Sequence, residues 1–157
     1  MDNIEISVAQ KEDWEPAMEL AWKTFLKFEA GEYGKEGTDH FLEFISDEKL
    51  FKMFTIGEYK LAVAKQNGRI AGLVSLRSGC HISLLFVDES LHRRGIGKAL
   101  LSFAQERFLN GPDVKLTVNA APYAIGFYKK VGFAETDDLQ HADGIIFQPM
   151  CCLSRIC

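Results

Sequence analysis

Hydrophobic and polar positions alternate in several short stretches of the chain, which is the pattern of half-buried β-strands. The first stretch is Ile4–Val8, and two more, Lys60–Lys65 and Ile70–Leu76, lie on either side of an Asn67-Gly68 pair. Asn-Gly between two such stretches favours the tight turn that joins antiparallel strands. The pattern therefore predicts an antiparallel meander, which a third strand from His81 to Val87 continues.

Between the first strand and the meander, apolar residues recur every three or four positions, which predicts helices. Asp13 can cap the first helix, and its first turn accepts Pro16 because a proline lacks only an N–H that would be unpaired there. The apolar face of this helix consists of Trp14, Met18, Ala21, Phe25 and Phe28. The segment 29–34 breaks the helix, and a second helical stretch with apolar positions from Phe41 to Phe54 follows.

Strands and helices alternate in the second half of the chain. A helix opens at Gly95, a strand covers Val114–Val118, and a short helix runs from Pro122 to Val131 with Gly132 as its cap. Residues 144–147 form a final strand. We find no repeat or linker, so residues 1–157 are predicted to form one α/β domain, a mixed sheet with helices on its faces.

Composition and charge exclude several classes of protein. Of 157 residues, 47% are hydrophobic and 25% are charged, as is usual for a globular domain, and the net charge of −4 disfavours attraction to nucleic acid or anionic membranes. No run approaches the roughly 18 apolar residues of a membrane span, and Met1–Glu5 lacks the basic start of a secretory signal. We expect a cytoplasmic protein with neither nucleic acid nor a membrane as partner.

The cysteines do not suggest a disulfide framework, because three of the four lie in the last seven residues. A zinc site made by Cys151, Cys152, Cys157 and His141 is conceivable. However, adjacent cysteines lack the spacing that lets two thiolates reach one metal ion. We therefore expect reduced thiols, no bound metal, and a C-terminal strand or tail.

The turn after the third meander strand has the composition of an anion-binding site. Its residues are His92, Arg93, Arg94, Gly95, Ile96, Gly97 and Lys98. The first N–H groups of a helix have no intrahelical partner and carry partial positive charge. The glycines permit close approach of phosphate oxygens, and the arginines can add charge-assisted hydrogen bonds. A tight turn with solvated arginines is the alternative. The dinucleotide fingerprint fails at Leu100, and the P-loop pattern fails at His92 and Ala99.

A second segment narrows the interpretation of the anion-binding turn. A strand ends near Asn119, and the sequence Ala124-Ile125-Gly126-Phe127-Tyr128-Lys129-Lys130-Val131-Gly132-Phe133 follows in the short helix. The two segments resemble the signatures of the GCN5-related N-acetyltransferase (GNAT) family, R/Q-x-x-G-x-G/A and A-x-x-F-Y-x-K-x-G-F. His92 stands where Gln or Arg is usual in the family, and we expect weaker positioning of the turn at most.

The resemblance implies a fold, a cofactor and a set of site residues. The fold is a mostly antiparallel sheet in which two parallel strands splay apart to admit acetyl-coenzyme A. The turn would cradle the pyrophosphate, the backbone of Phe86 and Val87 would pair with the pantetheine, and Asn119 would help hold it. The predicted cofactor-binding residues are Phe86, Val87, Arg93, Arg94, Gly95, Ile96, Gly97, Lys98, Asn119 and Tyr128.

The chemistry of acetyl transfer assigns further roles. An amine attacks the thioester only as the free base, and the tetrahedral oxyanion needs a donor, for which a backbone N–H near Val87 is a candidate. Tyr128, with a reference pKa of about 10, can give a proton to the departing thiolate. The alternative for Tyr128 is a packing role, but Phe127 beside it already supplies an apolar ring. We expect His81 to be the general base. Weaker candidates, or residues that shape the acceptor pocket, are Glu29, Glu32, Tyr33, Asp39 and Ser83, and water can also relay the proton.

The leading hypothesis is an enzyme that transfers acetyl from acetyl-CoA to a primary amine, with a small molecule as the expected acceptor. A peptide N-terminus and a lysine side chain remain open. The alternatives are an acyltransferase that uses another acyl group or acceptor type, and a non-catalytic acyl-CoA-binding module. The apolar C-terminal strand and its cysteines could support a homodimer.

Overall fold

The computed structural model describes residues 3–156, which form eight strands and five α-helices. The strands are β1 (Ile4–Val8), β2 (Lys60–Gln66), β3 (Arg69–Arg77), β4 (His81–Val87), β5 (Thr117–Ala120), β6 (Phe133–Glu135), β7 (Gln140–Ala142) and β8 (Ile145–Cys152). The helices are α1 (Trp14–Phe28), α2 (Ala30–Ser46), α3 (Glu48–Thr55), α4 (Ile96–Phe108) and α5 (Ile125–Lys130). No helix within residues 3–156 has the length and apolarity to cross a membrane.

The strands form one mixed sheet in the order β1-β2-β3-β4-β5-β8-β6, with β7 paired to β8. Every pair is antiparallel except β4 with β5. The predicted turn between β2 and β3 is present, because Asn67 and Gly68 have φ values of 52° and 80°. Two successive residues with positive φ define the turn whose twist matches that of the strands it joins. The predicted fold class is confirmed.

The sheet separates two hydrophobic cores, because successive residues of a strand point to opposite faces. Val63 and Leu73 point to the face covered by α1, α2 and α3, where Phe25 stacks on Phe41 with ring centroids 4.0 Å apart. Ala62 and Val74 point to the other face, covered by α4 and α5. The sheet is therefore buried on both sides at its centre.

The start of α1 is tied to the sheet by a buried carboxylate. Asp13 accepts a hydrogen bond from the backbone N–H of Gln10 at 2.8 Å and pairs with Lys65 of β2 at 2.9 Å. The side chain of Asp13 is only 7% exposed, so it is screened less than the surface ion pairs. These two contacts fix the start of α1 against β2.

Several predicted boundaries are wrong. The second helical stretch is two helices, because Asp47 is extended (φ −71°, ψ 123°) and its side chain caps α3. The strand predicted at Val114–Val118 begins only at Thr117, where the backbone N–H of Thr117 donates to Cys80. The final strand is longer than predicted and runs through Pro149 to Cys152. The short strands β6 and β7 were not predicted, since three polar or mixed residues give no alternating pattern.

Candidate active site

A cleft opens where the two parallel strands separate. β4 and β5 pair only at His81–Thr117 and Ile82–Val118, and β5 then continues along β8 instead. The cavity beside this point has a volume of about 560 Å³. Its walls come from α2, the end of β3, β4 from His81 to Phe86, the end of β5, α5 and the β7–β8 hairpin. The splay that the family resemblance implied is thus a feature of this chain.

Peptide groups of β4 face this cleft. The N–H of Asp88 donates to Ala71 on β3, so by antiparallel alternation Phe86 also bonds to β3, whereas Leu85 and Val87 face the cleft. The Nε2–H of His92 donates to the carbonyl of Val87 at 2.7 Å. His92 therefore fixes the turn against the end of β4, which leaves the N–H groups of Leu85 and Val87 as the donors available to a ligand.

The turn before α4 presents free N–H groups beside cationic side chains. Gly95 has a φ of 80° and caps the helix, and the first intrahelical bond of α4 runs from Ala99 to Gly95. The N–H groups of residues 95–98 consequently have no partner within the helix. Arg93, Arg94 and Lys98 are all exposed. The free N–H groups and the exposed cations give this end of the cleft the features of an anion-binding site.

Glycine is needed at two positions of the turn, for a different structural reason at each. A Cβ on Gly95 would meet open space, but the positive φ is strained for any other residue. A Cβ on Gly97 would lie 3.1 Å from the ring of Phe127. Gly97 therefore lets the start of α4 pack against α5, in addition to the role in phosphate approach that the sequence suggested.

Tyr128 belongs to the core and to the cavity wall at once. Its side chain is 4% exposed, and its ring packs edge-on against Phe127 and Phe133 at centroid distances of 5.2 and 5.1 Å. Burial raises the pKa of the phenol, and the negative charge of Glu29 raises it further. The phenol is therefore protonated at neutral pH. Tyr128 therefore packs in the core and also lines the cavity.

His81 and Ser83 line the same cavity. The register of β4 against β3 shifts beside Ser83, so Ile82 packs on the same side as Leu85 and strict alternation does not hold along β4. The Nδ1 atom of His81 lies 2.8 Å from the hydroxyl oxygen of Thr117. Burial lowers the pKa of His81, and the positive charge of Arg77 lowers it further, so the imidazole is neutral at pH 7. Asn119, at the end of β5, also lines the cavity.

Of the four residues named at the break between the first two helices, two reach the cavity. Glu29 and Tyr33 line it, whereas Glu32 and Asp39 are exposed and are not among the lining residues. Asp39 instead forms an i,i+4 pair with Lys35 at 2.8 Å. Burial raises the pKa of Glu29 to about 7, and the negative charge of Glu32 contributes to the rise.

The β7–β8 hairpin, whose first strand was not predicted from the sequence, forms a wall of this cavity. Asp143, Ile145 and Phe147 line it, and a Cβ on Gly144 would lie 3.1 Å from the backbone nitrogen of Gly37 in α2. The imidazole Nδ1 of His40 lies 3.2 Å from the carbonyl oxygen of Asp143. The hairpin thus packs closely against α2 and forms one wall of the cavity.

The C-terminal cysteines do not share one face. Cys151 and Cys152 are consecutive residues of β8, so their side chains point to opposite sides of the sheet. Cys152 is buried and its thiol donates to the carbonyl of Ser154 at 2.9 Å. The geometry gives a reason against both thiols binding one metal ion. Cys157, the third cysteine of that hypothesis, lies outside the described residues.

Comparison with protein families identifies the fold. A family model described as "Acetyltransferase (GNAT) domain" matches residues 29–154. The chain belongs to the GNAT acetyltransferase family. Within residues matched by that model lie the splayed strands, the anion-binding turn and the buried tyrosine, so the family resemblance stated from the sequence is confirmed.

Among curated GNAT proteins, the chain is 37% identical over 76 residues to the peptidyl-lysine N-acetyltransferase YiaC of Escherichia coli (strain K12), covering 48% of this chain and 50% of YiaC. It is 39% identical over 70 residues to the peptidyl-lysine N-acetyltransferase YjaB of the same strain, covering 41% of this chain and 46% of YjaB. The matched region thus spans about half the length of these relatives.

Solved GNAT structures match over nearly the whole chain. A GCN5-related N-acetyltransferase from Rhodopseudomonas palustris has a TM-score of 0.77 and 21% identity, over 97% of this chain and 96% of its own. The PaiA N-acetyltransferase from Thermoplasma acidophilum, solved in complex with coenzyme A, has a TM-score of 0.75 and 22% identity, over 96% of this chain and 98% of its own. At these identities the likeness shows the fold alone.

Proposed function

We propose that this GNAT protein transfers the acetyl group of acetyl-CoA to a primary amine. The observation that carries the proposal is the geometry of the cleft. An unpaired helix N-terminus with cationic side chains lies at one end, free strand N–H groups follow, and a buried protonated phenol lines the cavity beyond them. Acetyl-CoA has its parts in the same order. Its diphosphate would meet the helix N-terminus, its amide-containing chain the strand N–H groups, and its thioester the phenol.

The cofactor would lie along β4. The pyrophosphate is held by the N–H groups of the turn from Arg93 to Lys98, and the pantetheine pairs with the peptide groups of Leu85 and Val87. Phe86 bonds to β3, so it contributes its side chain at the cavity wall. Asn119 faces the pantetheine from β5. The coenzyme A complex of PaiA, which has the same fold, supports coenzyme A as the ligand.

The acetyl group is transferred by direct attack. The free amine adds to the thioester carbonyl, and an N–H of Leu85 or Val87 donates to the oxyanion as it forms. The intermediate collapses when the carbon–sulfur bond breaks, and Tyr128 donates its proton to the leaving sulfur. The raised pKa of Tyr128 keeps the proton in place until the sulfur becomes negative.

The acceptor is a primary amine that enters as an ammonium ion. A small-molecule amine was the expectation from the sequence. The similarity to YiaC and YjaB, both named peptidyl-lysine N-acetyltransferases, favours a lysine side chain as a second candidate. Both acceptors present the same reacting group, so the chemistry of the site is the same for each.

Release of coenzyme A tests the proposal. The protein is mixed with acetyl-CoA and a panel of polyamines, aminoglycosides, amino acids and lysine-containing peptides, and free thiol is followed. We expect release that depends on at least one amine, with the acetyl group located on nitrogen by mass spectrometry. Tight binding of acetyl-CoA by calorimetry without release would indicate a non-catalytic binding module instead. Absence of binding would overturn the proposed cofactor site.

A further inference from the structure

Glu29 occupies the junction between α1 and α2, and its backbone is fixed from both sides. Its N–H donates to Phe25 at 2.9 Å, and its carbonyl accepts from Glu32 and Tyr33 at 3.0 and 3.2 Å. The side chain is half-buried and forms part of the cavity wall together with Tyr33 and Tyr128. A carboxyl group is therefore held in a defined position at the cavity, and not on a mobile loop.

The carboxylate of Glu29 has no cationic partner within residues 3–156. The two lysines of α1 nearest to it in sequence pair elsewhere, Lys23 with Asp88 and Lys27 with Glu89. A half-buried carboxylate usually has a cation or several hydrogen bonds as compensation. This one faces an aromatic cavity, where an ammonium group of the substrate would supply the missing positive charge.

We propose that Glu29 is the general base of the reaction, and that it binds the ammonium group of the acceptor and takes its proton. The inference rests on the proposed function and deepens it, because it assigns the acceptor a cationic amine and the base a residue. It replaces our expectation that His81 is the base.

The protons balance as follows. The ammonium transfers one proton to Glu29, and the free amine attacks the thioester carbon. When the carbon–sulfur bond breaks, Tyr128 gives its proton to the sulfur, and the phenolate recovers a proton from the nitrogen, which becomes the amide. Glu29 then releases its proton to water. Ammonium and thioester become amide, free thiol and one released proton.

The electrostatics of the cavity couple these two groups. The negative charge of Glu29 raises the pKa of Tyr128, so protonation of Glu29 removes part of that rise and makes the phenol a better acid. A base with a pKa of about 7 is also matched to neutral pH, where it is half ionised and still a useful acceptor. The base step therefore prepares the acid step.

His81 is less suited to the role. It lies at the paired start of β4, four residues before Leu85, which is about 13 Å along a strand. Its lowered pKa makes it a weaker proton acceptor than a group that titrates near 7. The remaining ionisable groups that face Glu29 or share its cavity are Glu32, Tyr33 and His40 of α2, Arg77 of β3, Tyr123 of the turn after β5, Tyr128 of α5, and Asp143 of the hairpin.

The test compares Glu29→Gln with Glu32→Gln. In the wild type, kcat/KM for a lysine-amide or diamine substrate should rise with pH through about 7, because Glu29 must be ionised to accept a proton. Glu29→Gln should lack this rise of kcat/KM near pH 7, which we call the pH limb, and its kcat/KM at pH 7 should be about 10²–10⁴-fold lower. The kcat/KM of the variant should rise again towards about pH 10, where a lysine-like amine loses its proton without a base. Acetyl-CoA affinity, measured by calorimetry, should not change.

Glu32→Gln is the matched control, since it removes a carboxylate three residues away that is exposed. It should keep its activity, and its pH limb should move to lower pH because the charge of Glu32 contributes to the raised pKa of Glu29. An active Glu29→Gln with an unchanged pH limb would overturn the inference, and loss of that limb in His81→Gln would return the role to His81. A wild type that binds acetyl-CoA and acetylates no amine would instead overturn the proposed function itself.

Discussion

At the scale of single residues, the site depends on ionisable groups whose behaviour is set by burial. Tyr128 would titrate near 10 in water, yet its place between the rings of Phe127 and Phe133 keeps it protonated far above neutral pH. Such a phenol is a weak acid in the resting site. In the proposed mechanism, proton donation by Tyr128 therefore depends on the negative charge that develops on sulfur and on the charge of Glu29.

Replacement of Tyr128 by Phe tests the acid role with little change in packing. Tyr128→Phe should lower kcat by about 10²-fold at saturating substrates, since proton donation to the leaving group is lost. The affinity for acetyl-CoA should remain near the wild-type value. Tyr33→Phe is the control, because it removes another phenol from the same cavity. Equal turnover of Tyr128→Phe and the wild type would exclude the acid role.

Gly95 gives a second prediction at this scale. Gly95→Ala introduces no clash, but it forces an alanine into the left-handed region at a cost of about 1–2 kcal/mol. The turn should relax and misdirect the N–H groups of residues 95–98. We expect acetyl-CoA affinity to fall about tenfold or more, with a lower Tm. Gly57→Ala is the control, because Gly57 also has positive φ (83°) and open space but lies after α3; its effect should be confined to Tm.

The candidate site residues that can be named from the sequence are those with local signatures. The turn Arg93–Lys98 and the segment that carries Tyr128 are each continuous in sequence, so both can be recognised without knowledge of the fold. Glu29 was only one of several candidates, because its burial depends on three elements that meet in space. His81 was placed first without knowledge of its position along the cleft, which the sequence does not show.

At the scale of elements, α2 and the β7–β8 hairpin meet beside the cavity at a contact between glycines. Gly144 has a φ of 78° and approaches Gly37, and a Cβ on Gly37 would lie 2.9 Å from the Cβ of Tyr33 and 3.2 Å from the carbonyl oxygen of Gly144. Only two residues without side chains allow α2 and the hairpin to meet so closely. This backbone contact thus sets the shape of the cavity wall that we propose binds the acceptor.

Gly144→Ala should therefore open the pocket. Its Cβ would lie 3.1 Å from Glu36 Cβ and from Gly37 N, so the hairpin must move away from α2. We expect a several-fold higher KM for the acceptor, an unchanged affinity for acetyl-CoA and a loss of stability of about 1–2 kcal/mol. Gly57→Ala, with the same backbone strain and no close neighbour, should lose stability but keep the acceptor KM. Equal KM in both variants would contradict this account of the pocket.

Elements were predictable where turn chemistry or periodicity was strong. The Asn67-Gly68 turn, α1 and the meander were predicted from the sequence. The β7–β8 hairpin was missed because its first strand has three residues and a polar pattern. The split of the second helical stretch was missed since Asp47 lies within an unbroken apolar period, and only its extended backbone ends α2.

At the scale of the whole molecule, the sheet consists of two parts joined narrowly. Strands β1 to β4 form one antiparallel part, and β5, β8 and β6 form the other. Within residues 3–156, the two parts pair only at His81–Thr117 and Ile82–Val118. A ligand in the cleft would pair with β4 and contact β5, so it would add interactions where the sheet has fewest. Cofactor binding should then stabilise the second part more than the first.

Hydrogen exchange with and without acetyl-CoA measures this coupling. Binding at a hundredfold excess over Kd should add about 2.7 kcal/mol of stability, which raises Tm by roughly 5–10 °C for a domain of this size. Exchange should slow most at Leu85, Val87 and β5, and least at β1, which lies at the far edge of the sheet. An Arg93→Ala, Arg94→Ala double variant should show a smaller shift at the same ligand concentration. Equal protection in β1 and β5 would mean that the ligand does not bridge the two parts.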